Sequence, residues 1–166
     1  MSYPSTYTTY RRSTGKPSRE TPLTVEQCQE SLPQEKDLGP KDVVIKVHTV
    51  SLNYRDAGML IGNYTVPYED QGIPCSDCAA EVVGIGSEVK QFKKGDRVSA
   101  ICGQGDFDPT DDGNSVAIGA SGPGVLREYA VYKEKHLVHL PKNLSWEEVS
   151  FRHELLSIAT GILMMI

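Results

Sequence analysis

The sequence predicts a mainly β domain, a barrel or sandwich of short strands with few helices. Short β-rich runs recur through the first 140 residues, separated by clusters of Gly, Pro and Asp. The clearest run, Asp42 to Leu52, places Val43, Ile45 and Val47 on one face and Lys46 and His48 on the other, the alternation of a half-buried strand. A Gly- and Asp-rich stretch from Gly103 to Gly124 has no helical period and reads as a long loop.

At 166 residues the chain can bury one good core but not two ordinary domains with a linker. Its 39% hydrophobic and 23% charged residues are those of an ordinary globular protein. A net charge of -5 supplies no basic stripe for phosphates, which excludes nucleic acid as a partner. The apolar run from Gly161 to Ile166 is far short of the ~20 residues a membrane span needs, so no membrane partner is expected. Cys28, Cys75, Cys78 and Cys102 are too few and too irregular for a disulfide framework, which fits a reducing, cytoplasmic setting.

The elements follow in order. Arg11, Arg12 and Arg19 lie among Ser and Thr ahead of the first acidic residue, Glu20, the composition of a mitochondrial transit peptide. Tyr7 to Tyr10 favours a strand, however, and Pro4 and Pro17 interrupt a long helix, so a strand is expected there. After Leu52, Asn53 can cap a short helix through Leu60, with Asp56 in its first turn and Gly62 to end it. Ala79 to Ile85 and Arg97 to Cys102 form a hairpin around the turn Lys93-Lys94-Gly95-Asp96. Arg127 to Lys133 and Leu137 to Leu140 complete the strands. Ser145-Trp146-Glu147-Glu148 is a capping box that starts a helix, and its continuation to Ile166 ends in apolar residues without a stop.

Several clusters suggest chemistry and do not carry it. Cys75 and Cys78 form a C-x-x-C, but it runs into a strand instead of a helix N-terminus and has no second ligand pair, so two ordinary cysteines are expected. His136 and His139 are three apart, an odd offset that points strand side chains to opposite faces. Asp106, Asp108, Asp111 and Asp112 lack the EF-hand pattern and read as a solvated loop. Gly84 and Gly86 open like a dinucleotide fingerprint, but Val89 stands at the third glycine and a turn follows.

Ser51-Leu52-Asn53-Tyr54-Arg55-Asp56, then Gly72-Ile73-Pro74-Cys75-Ser76-Asp77-Cys78 through Gly86, resembles the N-terminal domain of medium-chain dehydrogenases/reductases. Phe92 to Val98, Arg127 to Val131 and His139 through Glu148 continue the resemblance in order, over about residues 40 to 150. The nearest resemblance is to the quinone-oxidoreductase-like and fungal zinc-alcohol-dehydrogenase-like members. It implies a GroES-like, partly open β-barrel with short helices over residues 1–148, plus the start of an α/β domain at 149–166. It also implies hydride transfer between a nicotinamide cofactor, NADPH, and a small-molecule carbonyl substrate: a conjugated carbonyl, a quinone or an alcohol/aldehyde pair.

In zinc-dependent relatives a Cys stands at Asn53, a His at Ser76 and a Glu at Asp77. Amide and hydroxyl are poor zinc ligands, so no zinc is expected and the metal set is empty. Asn53 and Tyr54 are the candidates for both catalysis and cofactor contact, while Arg55 and Asp56 are expected to hold the helix start. A plain capping role for Asn53 is the alternative. From Phe151 onward the chain departs from the Ala- and Thr-rich helix that family members show next, which reads as truncation before the nucleotide-binding domain. Two functions remain open: the substrate-side domain of an oxidoreductase, homo-oligomeric at full length, or a non-catalytic GroES-like binding module or inactive fragment.

Overall fold

In the computed structural model, which describes residues 3–104 and 116–150, the alternating run Asp42–Ser51 is the central strand. The described elements are β1 (Thr6–Arg12), β2 (Val25–Ser31), β3 (Asp42–Ser51), α1 (Tyr54–Leu60), β4 (Asp77–Ile85), β5 (Arg97–Ala100), β6 (Gly103–Gln104), β7 (Val116–Ala117), β8 (Tyr129–Lys133) and β9 (Leu137–His139). Five of the strands form one open, curled half-barrel in the order β8-β3-β4-β5-β9, with every neighbouring pair antiparallel. The molecule is mainly β, as the sequence indicates.

Both faces of that sheet are covered, which explains why Val43, Val44 and Ile45 are buried in succession. Val43 and Ile45 join Val82, Val98, Tyr132 and Leu137 in the main core. Val44 turns the other way, against Tyr7 of β1 and against Leu32. The β1–β2 hairpin that supplies this second layer is half unexpected. β1 answers the strand reading of Tyr7 to Tyr10, but β2 is polar and largely exposed, so it shows no hydrophobic alternation.

Strand β3 is not regular. Its pairing with β4 shifts between Val47 and Thr49, leaving His48 as an extra residue, a β-bulge. The bulge resets the phase of the strand, so Val47 and Val50 both pack on the main core although they are three apart. It also aims two neighbours at one target. The His48 ring stacks on Trp146 at 4.2 Å with 9° between planes, and Thr49 Oγ1 donates to the Trp146 carbonyl at 2.9 Å.

The stretch expected to be one loop contains a small ribbon, since β6 and β7 pair through Gly103–Ala117 and Gln104–Val116. Two-residue strands carry too little pattern to be read from sequence. The four acidic residues between them, Asp106, Asp108, Asp111 and Asp112, lie outside the described residues. The Ser145 capping box is formed: Ser145 N–H donates to Glu148 Oε2 at 2.8 Å, and Glu148 N–H to Ser145 Oγ at 3.1 Å. Val149 of the turn that follows is buried against Ala79 and Leu140. The continuation of the helix expected from the sequence, from 151 on, lies outside the described residues, as does most of the expected 149–166 unit. Among the described residues no helix is long and apolar enough to cross a membrane.

Candidate functional site

Ser51, the last residue of β3, pairs with Asp77, the first of β4. The chain leaving β3 and the chain entering β4 therefore meet at one end of the sheet. Asn53 sits there as the N-cap of α1, with the extended backbone that position requires.

A buried carboxylate ties the two segments together. Asp56 is 7% exposed; its Oδ2 accepts the Asn53 backbone N–H at 2.9 Å, and its Oδ1 accepts the Cys75 N–H at 3.0 Å. The first of these bonds confirms that Asp56 holds the helix start, and its charge also suits the first helical turn. The second reaches a strained residue, since Cys75 has φ of 68° without being glycine. Further bonds fix this segment: Gly124 N–H donates to Ile73 O at 2.9 Å and Val125 N–H to Cys75 O at 2.9 Å. Gly124 is required by this approach, because a Cβ there would strike the carbonyls of Ile73, Pro74 and Cys75.

Held in this way, the three positions singled out by the sequence converge. The Asn53 side-chain Nδ2 donates to Asp77 Oδ2 at 2.5 Å, and Ser76 Oγ donates to the same oxygen at 2.6 Å. Ser76 and Asp77 are buried. Tyr54 does not join them. It is 76% exposed, and its hydroxyl accepts a bond from Asn63 Nδ2 at 3.2 Å. The two candidates thus separate, Asn53 turning into the site and Tyr54 facing out beside it.

Arg55 does something other than hold the helix start. Its guanidinium donates to Cys102 Sγ at 3.2 Å and to the Ile118 carbonyl at 2.8 Å, anchoring α1 to residues around the β6–β7 ribbon. Arg12 is the less expected cation, because its polar neighbours in the sequence do not predict burial. It is almost wholly buried and donates to the carbonyls of Gly119 and Glu69 at 2.9 and 3.2 Å. Burial pulls its guanidinium below the usual arginine range.

The C-x-x-C consists of two free, buried cysteines. Burial, with the nearby Asp56 and Asp77 carboxylates, pushes the Cys75 thiol far up, and burial does the same to Cys78. His136 lies in a single turn of 3-10 helix before β9 and not in a strand, whereas His139, in β9, packs on Phe92 with ring centres 4.6 Å apart. Gly86 packs on the carbonyls of Gly39 and Pro40, which gives this glycine a packing role where a fingerprint would need a phosphate cradle. Of the three converging residues, only Asp77 is a good zinc ligand; an amide nitrogen and a hydroxyl that spend their protons on it are not. Among the described residues no three His, Cys, Asp or Glu side chains stand together as a metal set.

Sequence reasoning named Asn53, Ser76 and Asp77 by what they replace, but it missed that they bind one another and that Asp56 holds the arrangement. The order Asn53-x-x-Asp56 was the available signal for the second point.

Comparison with known proteins places this geometry in context. The model of the alcohol dehydrogenase GroES-like domain matches residues 39–142. A zinc-type alcohol dehydrogenase-like protein of Schizosaccharomyces pombe is 38% identical over 68% of this chain and 33% of its own length. A chloroplastic quinone oxidoreductase of Triphysaria versicolor is 37% identical over 68% of this chain and 30% of its own length. The chain thus spans about a third of the length of these curated relatives. Among solved structures, galactitol-1-phosphate dehydrogenase from Escherichia coli superposes with a TM-score of 0.72 at 18% identity, over 87% of this chain and 41% of that one, a likeness of fold alone. An NAD-dependent alcohol dehydrogenase gives a TM-score of 0.66 at 25% identity, over 85% and 42%. Barrel topology, motif order and sequence identity agree, and the chain belongs to the alcohol dehydrogenase GroES-like domain family, the N-terminal domain of medium-chain dehydrogenase/reductase oxidoreductases.

Proposed function

We propose that this chain is the substrate side of an NADPH-dependent, zinc-independent oxidoreductase that reduces a conjugated or quinoid carbonyl. The observation that carries the reading is the 2.5 Å bond from Asn53 Nδ2 to Asp77 Oδ2. Two of the three positions that would ligate zinc are an amide and a hydroxyl, and both are engaged as hydrogen-bond donors.

The nicotinamide, when bound, supplies a hydride to the substrate carbon. The work of this chain is to receive the oxygen. The Asn53 amide nitrogen carries two protons; Asp77 takes one and fixes the plane of the amide, leaving the second N–H to donate to a substrate oxygen as that oxygen gains negative charge. A donor already oriented has little reorganisation to undergo at the moment of reaction. The exposed Tyr54 ring offers a flat apolar face on which a nicotinamide or a quinoid ring can rest. Asn53 and Tyr54 would hold the nicotinamide end of the cofactor. A cytoplasmic setting is supported by four free thiols, two of them only half buried.

Nuclear magnetic resonance on the ¹⁵N-labelled chain tests this directly, with 2,3-dimethyl-1,4-naphthoquinone as ligand because its blocked ring carbons resist thiol addition. The Asn53 side-chain amide and the backbone signals of 51–56 and 76–78 should shift together. If the quinone leaves all of them in place, Asn53 is not the donor that receives the substrate oxygen.

A further inference from the structure

Lys93, Lys94, Arg97 and Lys142 converge on one cavity of about 440 Å³ at the start of β5. It lies at the opposite end of that strand from Cys102, which touches Arg55 near the corner built around Asn53. Short-range bonds fix its walls. Lys93 N–H donates to Asp96 Oδ2 at 2.9 Å and Asp96 N–H to the Lys93 carbonyl at 3.1 Å, which closes the turn that carries two of the lysines. Leu140 N–H donates to the Arg97 carbonyl at 2.9 Å, and Arg97 Nη1 donates to the carbonyls of Lys142 and Leu144 at 3.4 and 2.7 Å. The segment bearing Lys142 is thereby tied to β5.

The charge of this cavity runs against that of the chain, which is -5. One carboxylate, Asp96, lies among the four cations, and Lys94 is paired with Glu35 at 2.5 Å, which leaves a surplus of two positive charges. Glu81, opposite Arg97 across the β4–β5 pair, is engaged by His48 at 3.3 Å. Among the described residues the exposed Lys93 and Lys142 ammonium groups form no ion pair. Leu140 and the aliphatic stems of the lysines supply apolar surface beside them. The volume falls within the ~300–1,000 Å³ of small-molecule pockets, which is room for more than a bare inorganic ion.

We propose that this cavity binds a small phosphate monoester, with the dianion between Lys93 and Lys142 and the organic body against Leu140. A dianion matches two unpaired ammonium groups, whereas a carboxylate brings one charge to a site for two. A small ligand feels chiefly the local surplus, because the acidic remainder of the chain is screened beyond the ~8 Å Debye length at physiological salt. A nucleic-acid strand would have to lie along that acidic remainder as well. The site is independent of the carbonyl reading of Asn53.

The test is nuclear magnetic resonance on the ¹⁵N-labelled chain, titrated at constant ionic strength with phenyl phosphate, inorganic phosphate and benzoate, at a pH where the phosphates are dianions. Phenyl phosphate should shift the backbone signals of 93–97, 139, 140 and 142 in a saturable way and leave the Asn53 side-chain amide in place. It should bind at least about threefold more tightly than inorganic phosphate and about tenfold more tightly than benzoate. Lys93→Gln combined with Lys142→Gln should weaken it at least about tenfold. Shifts that do not saturate, equal binding of phenyl phosphate and benzoate, or unchanged affinity in the folded double variant overturns the proposal. Inorganic phosphate binding as tightly as phenyl phosphate overturns the ester in favour of free phosphate. A single-stranded oligonucleotide that binds these residues more tightly than phenyl phosphate overturns the small ligand. The native chain alone discriminates among the ligands should the double variant fail to fold.

Discussion

Asn53 and Asp77 are 24 positions apart in the sequence and are joined by a 2.5 Å hydrogen bond from amide nitrogen to carboxylate oxygen. The bond closes the end of the β3–β4 pair, where Ser51 meets Asp77. Here it fixes the orientation of a neutral donor, and the remainder of the site is arranged around it.

Replacing Asp77 by Ala should leave the Asn53 amide and the buried Ser76 hydroxyl without this acceptor. A loss of about 1–3 kcal/mol is expected, read as a lower urea midpoint at unchanged slope. Asp77→Asn retains one acceptor oxygen and should lose less. Equal midpoints for native chain and Asp77→Ala would show that the bond contributes nothing.

The buried thiols give a pH dependence of known sign. Burial raises Cys75 and Cys78 above the value of 9.0 for a free thiol, so the folded state holds their protons more tightly than the unfolded chain. Their contribution is complete below the unfolded thiol range and is lost as pH climbs from there towards the folded values. Stability should fall with rising pH above about 9, less steeply in Cys78→Ala. In the native state Cys28 and Cys102, both half buried, should react with a thiol reagent first, and all four cysteines only in denaturant.

Trp146 is the single tryptophan and is held between two partners, the stacked His48 ring at 4.2 Å and the Arg97 guanidinium 4.0 Å from its centroid. His48→Ala should shift Trp emission to the red and cost about 0.5–1.5 kcal/mol. An unchanged emission spectrum would contradict the stacked geometry and, with it, the role given to the β3 bulge.

If side-chain identity alone keeps zinc from these three positions, ligands placed there should bind a metal. The double substitution Asn53→Cys and Ser76→His, with Asp77 in place, should bind cobalt with the visible absorption of a thiolate site, while the native chain shows none. Absence of absorption in a folded double variant would mean that the backbone does not place the three positions as ligands.

The parts legible in the sequence are those with a local cause. The β3 alternation, the Asn53-x-x-Asp56 helix start and the Ser145–Glu148 capping box each involve residues that bond within a few positions of one another. What was hidden depends on contacts across the chain. β2 is polar and exposed along most of its length, so it carried no period; the His48 bulge exists only in relation to β4; and Arg12 is buried by carbonyls from positions 69 and 119. The site shows the same division. Its members could be named from spacing and family motif, but the bond that makes them a unit could not, since it links a helix cap to the first residue of a strand 24 positions away.

The most direct test of the central claim is the metal content of the native chain, purified from cells grown with added zinc and without chelator. The hydrogen-bonded Asn53–Asp77–Ser76 arrangement predicts zinc far below one atom per chain, unchanged in Asp77→Ala. One zinc per chain in the native protein, lost in Asp77→Ala, would contradict it.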